Sequence, residues 1–227
     1  MSPASQVSFD FRLRNEFSLE NFVISDRNSE LLAALTSKQE QDGVYFIWGA
    51  EGSGKSHLLQ ACCALKENSV YVPLAEFAEA GAALLEGLEE LDLVCIDDIQ
   101  EVLPAAAWEE NLFRLFNVLQ QQGKRLLISA QIAPAALSFS LPDLQSRFSS
   151  SMVYQLHELD DDNKFLALKK RAQAIEMPLD DEVLHFICSR AERSTRHLFL
   201  LLDELAQSTL DEQRKLTVPY VKSLMNW

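Results

Sequence analysis

GAEGSGKS, residues 49–56, is the stretch on which the reading of this chain turns. It has the spacing G-x-x-x-x-G-K-S, follows the apolar run Val44 to Trp48 and precedes a helical segment that carries His57 to Leu65. The physical reason for the pattern is specific. Glycines let backbone N–H groups curl around phosphate oxygens at a helix N-terminus, a lysine reaches the β- and γ-phosphates, and the next hydroxyl takes Mg²⁺. Gly49, Gly52 and Gly54 are three of only seven glycines in 227 residues, more than turn chemistry alone explains. ADP or ATP with Mg²⁺ is the expected ligand, held by Gly49, Gly52, Ser53, Gly54, Lys55, Ser56 and His57.

Outward from this loop the chain alternates. Apolar, β-rich runs at Val44 to Trp48, Val70 to Val72, Leu93 to Ile96, Leu126 to Ile128 and Met152 to Leu156 have the length of buried strands. Between them lie helically spaced positions such as Trp108, Leu112, Leu115 and Leu119, with Gly123 placed to end the helix. The pattern predicts an α/β fold: a parallel five-stranded sheet with helices on both faces. LVCIDDI brings Asp97 and Asp98 to the end of one strand, at the sheet edge that the phosphate loop also faces. Asp97 is then expected to hold the Mg²⁺ water shell, and Asp98 to orient an attacking water. RLLISA would set the Ser129 hydroxyl between the two sites.

After about His157 only helix is predicted. Asp160 to Asp162 open one helix with the stripe Phe165, Leu168, Ala172 and Ile175, ended by Pro178. Leu198, Leu201, Leu202 and Leu205 mark another, and a short last helix runs from about Pro219. The expected division is an arm over 1–16, an α/β domain over 17–157 and a small all-helical lid over 158–227.

Composition limits the function. The formal net charge of -14 repels phosphate backbones, so direct sequence-specific DNA binding is not expected. The basic run KKR at 169–171 reads as a solvated helix face. No apolar run approaches the ~20 residues of a membrane span and no signal peptide opens the chain, which predicts a cytoplasmic protein. Cys62, Cys63, Cys95 and Cys188 sit in apolar segments without C-x-x-C pairing and read as core thiols. In the arm, QVSFDF (residues 6–11) puts Val7, Phe9 and Phe11 on one side of an extended peptide behind Gln6, an apolar edge that needs a partner.

GSGKSHLLQA, CIDDIQ, LFNVLQQQGKRLLISA, LPDLQSRF and STRHLFLLLDEL together resemble the AAA+ module of the DnaA family of bacterial replication initiators, over about residues 17–226. The resemblance implies an AAA+ phosphate-loop module with a helical lid. It matches Lys55 and Ser56 to phosphate-loop residues, Asp97 to the Walker B metal ligand and Ser129 to the first sensor. Arg147 of LQSRF falls on the arginine finger, and Arg196 of STRHLF on the second sensor. FSLENFVISDRN, residues 17–28, resembles the segment near the adenine, which brings in Phe22 and Val23. QVSFDF resembles the short peptide by which bacterial proteins bind the sliding clamp, the β subunit of DNA polymerase III, through Gln6, Val7, Phe9 and Phe11. QLHEL at 155–159 fits a loose form of that pattern across a buried strand and its exit. The chain stops at Trp227 without the initiator's helix-turn-helix domain. The resemblance therefore implies a clamp-docked regulator that acts on ATP-bound DnaA and has weak intrinsic ATPase at most. A helicase loader and a free-standing P-loop NTPase remain as alternatives, and self-association is left open.

Overall fold

The structure, a computed structural model, describes residues 13, 16–37, 42–177, 179–191, 194–212, 216–225 and 227. The pattern of strand and helix is the expected one. Five strands, β1 (Gly43–Trp48), β2 (Ser69–Pro73), β3 (Leu93–Asp97), β4 (Arg125–Ala130) and β5 (Met152–Gln155), form one parallel sheet in the order β2-β3-β4-β1-β5. The helices are α1 (Ser29–Thr36), α2 (Lys55–Ala64), α3 (Leu74–Phe77), α4 (Ala106–Gln121), α5 (Pro142–Ser149), α6 (Asp161–Ala174), α7 (Asp181–Arg190), α8 (Thr195–Glu212) and α9 (Val218–Met225).

Alternation along β1 shows why the strands read as unbroken apolar runs. Val44 and Phe46 face a core shared with Leu112, Leu115 and Phe116 of α4 and Leu144 and Phe148 of α5. Tyr45 and Ile47 face the opposite core, with Leu31 and Leu35 of α1 and Leu58 and Leu59 of α2. Both faces are covered, so the strands are mainly apolar; the buried polar exceptions are bonded, as Arg125 of β4 is to the Leu35 carbonyl and Ser129 of β4 to Asp97. After β1 the chain crosses to β2 at the far edge and returns through β3 to β4, which leaves a crevice beside β1 at the carboxyl edge of the sheet.

Local chemistry ends α4 where the sequence predicts, whereas α6 stops at Ala174, before Pro178 and with Ile175 as its C-cap. Gly123, at φ 64°, follows α4; its N–H donates to the Gln120 carbonyl, and that of Lys124 to the Leu119 carbonyl. This paired closure needs a left-handed residue, which glycine adopts without a Cβ clash. The Asp160 side chain accepts from the Asn163 N–H (2.9 Å) and caps α6. Leu168 and Ala172 of α6, Val183, Leu184 and Ile187 of α7, and Leu198, Leu201, Leu202 and Leu205 of α8 form a third core, that of the lid. The α7 stripe was not singled out in the sequence. Pro178 lies outside the described residues. All four cysteines are free thiols, with Cys62, Cys63 and Cys95 buried. Among the described residues no helix is long and apolar enough to cross a membrane.

Candidate functional site

The phosphate loop joins β1 to α2. Gly54 precedes α2 at φ 103°, and a Cβ there would press within 3.2 Å of the Phe22 ring. Gly52, at φ 79°, lies so near the lid that a Cβ would come within 3.0 Å of the Arg196 backbone nitrogen. Both positions need glycine for conformation and for space. Lys55 is buried; its ammonium donates to the carbonyls of Gly49 (2.9 Å) and Ala50 (3.0 Å). Burial pulls its pKa below the usual lysine range, opposed by the charges of Asp98 and Asp97.

Sheet register builds the acidic side. Ile96 pairs with Ile128 and Ile47 with Ser129, so the ends of β3 and β4 leave the sheet beside the phosphate loop. Asp97 is buried, with both carboxylate oxygens engaged: Tyr71 Oη donates to Oδ2 at 2.6 Å, and Ser129 Oγ donates to Oδ1. The same Ser129 hydroxyl accepts from the Asp98 N–H (2.9 Å). Asp98 is in the left-handed region at φ 57°, and burial, then the neighbouring Asp97, raise its pKa above the usual carboxylate range. Gln100 donates to Asp98 Oδ1 (2.9 Å) and accepts from the Gln131 N–H (3.2 Å), tying the exits of β3 and β4 together.

Phe22 and Val23 are buried in the cavity wall. His57 Nε2–H donates to the Ser18 carbonyl (2.8 Å), and the ring stacks on Phe17 at 4.8 Å and meets Phe22 edge-on at 5.2 Å. Burial pulls its pKa below the usual histidine value, with the Ser18 carbonyl opposing. The lid closes this side. Arg171 of α6 is buried, makes a fork to Asp203 (3.0 Å to each oxygen), pairs with Glu16 (3.2 Å) and lies over the Phe17 ring. The solvated reading of KKR is therefore wrong for Arg171, which nothing in the run itself separates from Lys169 and Lys170. Arg196, in the first turn of α8, forms an ion pair with Glu51 of the phosphate loop.

These groups surround one cavity of about 380 Å³, lined by Gly52 to His57, Phe22, Val23, Asp98, Arg171 and Arg196 among others. Arg147 is not in its wall. It stands exposed on α5, whose Leu144 and Phe148 are fully buried, and its side chain has no hydrogen bond or ion pair among the described residues. The approach to α5 is fixed by a residue the sequence analysis did not single out: fully buried Glu109 of α4 accepts the N–H groups of Ser140 (2.9 Å) and Leu141 (2.6 Å). Gln6, Val7, Phe9 and Phe11 lie outside the described residues. QLHEL at 155–159 has Leu156 buried and Leu159 in the cavity wall, as its place across a strand exit suggested.

A helical bundle, rather than a loop, stands over the phosphate loop, and with the strand order β2-β3-β4-β1-β5 this makes the chain a P-loop protein of the AAA+ class. A family model described as "Bacterial DnaA ATPAse domain" matches residues 13–155, and one described as "Hda, lid domain" matches residues 161–225. The chain belongs to the bacterial DnaA ATPase-domain family and is an Hda- and DnaA-related AAA+ protein. Among solved structures, domain III of the replication initiation protein DnaA from Thermotoga maritima is 24% identical, with TM-score 0.80 over 95% of this chain and 98% of that one. AMPPCP-bound DnaA from Aquifex aeolicus is 25% identical, with TM-score 0.66 over 82% of this chain; the match spans 63% of that chain. RuvB from Thermotoga maritima shares the fold at 21% identity and TM-score 0.66, over 92% of this chain and 71% of that one.

Proposed function

We propose that this chain is a nucleotide-bound regulator of replication initiation that docks on the sliding clamp and stimulates hydrolysis of the ATP held by DnaA. This is negative regulation, because hydrolysis ends the initiator's competence. Family membership and the AMPPCP carried by a DnaA relative support nucleotide binding. The loop fits a nucleotide: it has no room for Cβ atoms at Gly52 and Gly54, and the buried Ser53 hydroxyl has no partner among the described residues. In this reading Lys55 leaves the Gly49 and Ala50 carbonyls for the β- and γ-phosphates, while Arg196 leaves Glu51 and reports the nucleotide to the lid. Ser56 and Asp97 offer the hard oxygens that Mg²⁺ prefers, and the ion would neutralise phosphate charge. Tyr71 and Ser129 fix the Asp97 carboxylate, and Asp98, held by Gln100 through Oδ1, would orient a water.

The observation that carries the trans-acting part is Arg147: exposed, unpaired among the described residues, on a helix anchored by Leu144 and Phe148, and outside the chain's own cavity. A guanidinium so placed suits a neighbour's γ-phosphate, where such a finger contributes about 10³ to 10⁵ in rate. Clamp docking rests on the resemblance of residues 6–11. The test is hydrolysis of DnaA-bound ATP in the presence of DNA-loaded clamp. Arg147→Ala is expected to keep clamp binding and lose stimulation, and Gln6→Ala with Phe11→Ala to lose both. Stimulation by either variant at the wild-type level would refute the corresponding half of the reading.

A further inference from the structure

Two buried hydroxyls in the cavity wall have no hydrogen-bond partner among the described residues: Ser53 Oγ, in the phosphate loop, and Thr195 Oγ1, in the first turn of α8. Ser53 belongs to a loop whose role is already argued. Thr195 does not, and neither its residue type nor its spacing marks it in the sequence. It is 6% exposed, so water does not readily supply the missing partner, and an unpaired buried hydroxyl is destabilising. Beside it the backbone nitrogen of Arg196 comes within 3.0 Å of where a Cβ on Gly52 would lie. The first N–H groups of a helix have no partner inside it and carry the positive end of its dipole. The α8 N-terminus and the α2 N-terminus thus meet across the same cavity, one from the lid and one from the sheet.

We propose that Thr195 is a nucleotide-contacting residue: its hydroxyl donates to a phosphate oxygen of a bound nucleoside di- or triphosphate and so ties the lid to the phosphate chain. The assignment rests on the reading that the cavity takes a nucleotide. It makes Thr195, next to Arg196, a second lid contact, and an uncharged one. The contact is to a group that ADP and ATP share, so it holds the lid closed over either nucleotide. Discrimination between them is left to the charged Arg196.

The experiment uses the full chain as wild type, Thr195→Val, Thr195→Ser and Lys55→Ala, with ADP and AMPPCP titrated by calorimetry and thermal unfolding followed with and without ADP. Valine keeps the shape of threonine and removes only the hydroxyl. Thr195→Val is expected to weaken ADP and AMPPCP alike by roughly tenfold, the size of one hydrogen bond to a charged acceptor. Its unfolding midpoint without nucleotide should equal or exceed that of wild type, because an unpaired polar group has been removed, and Thr195→Ser should recover affinity. A merely structural hydroxyl would give the reverse, a lower midpoint without nucleotide and unchanged affinity. Either ADP binding by Thr195→Val within twofold of wild type or a midpoint several degrees lower without ligand overturns the Thr195 assignment alone. A wild-type chain that binds neither nucleotide, or binds no better than Lys55→Ala, overturns the nucleotide reading beneath it.

Discussion

The nucleotide cavity and the α5 face hold the same kind of side chain in opposite conditions. Inside the cavity every cationic group meets an acceptor from this chain: Lys55 the Gly49 and Ala50 carbonyls, Arg171 Asp203 and Glu16, Arg196 Glu51. On α5, Arg147 meets none among the described residues, although Leu144, Phe148 and the Glu109 clamp hold its helix firmly. A mobile exposed arginine is ordinary. An exposed arginine on a helix whose approach is pinned by a fully buried carboxylate is not, since burying a charge is costly unless it is hydrogen-bonded. The difference is that the cations of one site are satisfied by the chain's own groups while the exposed arginine of the other is not; in the proposed function an outside group completes it.

Each part of that contrast can be attacked. The largest expected effect is loss of Arg147, at about 4 to 7 kcal/mol in the stimulated barrier. Next comes Glu109→Ala, which takes the acceptor from the Ser140 and Leu141 N–H groups and removes the buried carboxylate that anchors them. It should lower folding stability by about 3 kcal/mol in denaturant titrations, and reduce stimulation while sparing nucleotide affinity in the folded protein. If nucleotide affinity fell with it, the two regions would not be separable. Lys55→Ala should do the opposite, weakening ADP roughly a hundredfold with stability little changed.

Smaller effects sharpen the inner site. Tyr71→Phe and Ser129→Ala each remove one donor to Asp97 and should each cost about 1–2 kcal/mol of stability. Their double mutant should show coupling, because both bond the same carboxylate. The Arg196–Glu51 pair is more than half exposed on both sides, so breaking it should change stability by less than about 1 kcal/mol, while Arg196→Ala weakens nucleotide binding. The smallest effect is one of pH. The folded-state pKa of His57 lies below its unfolded value, so the unfolded chain binds the proton first on acidification. Its contribution to stability is complete above the ordinary histidine pKa and is lost as pH falls through the folded value. His57→Gln should flatten the dependence of the unfolding midpoint as pH falls below the ordinary histidine value of about 6.5.

Much of this arrangement is visible in the chain itself, because its signals are local. Helices cover both sheet faces, so the five strands appear as apolar runs, and GAEGSGKS and CIDDIQ carry their chemistry within a few residues. What stayed hidden depends on pairs made by packing. Tyr71 and Asp97 are 26 residues apart and meet only through the register of β2 on β3. Glu109 lies 31 residues before Ser140 and reads as one more acid on a surface helix until α4 and α5 pack together. Arg171 was misread for the same reason: three basic residues in a row say nothing of which one turns inward, and the Asp203 that receives it stands on another helix. Thr195 gives no signal at all, since only the closed lid places its hydroxyl beside the phosphate loop.

The central claim is that Arg147 serves a partner's nucleotide and not the chain's own. It is tested most directly by adding Arg147→Ala at increasing concentration to ATP-bound DnaA on loaded clamp, while the ADP held by the variant is measured in the same sample. The expected result is wild-type occupancy of the variant's own site with stimulation reduced by about 10³-fold or more. Stimulation near the wild-type level, or loss of the variant's own nucleotide along with its activity, would contradict the account.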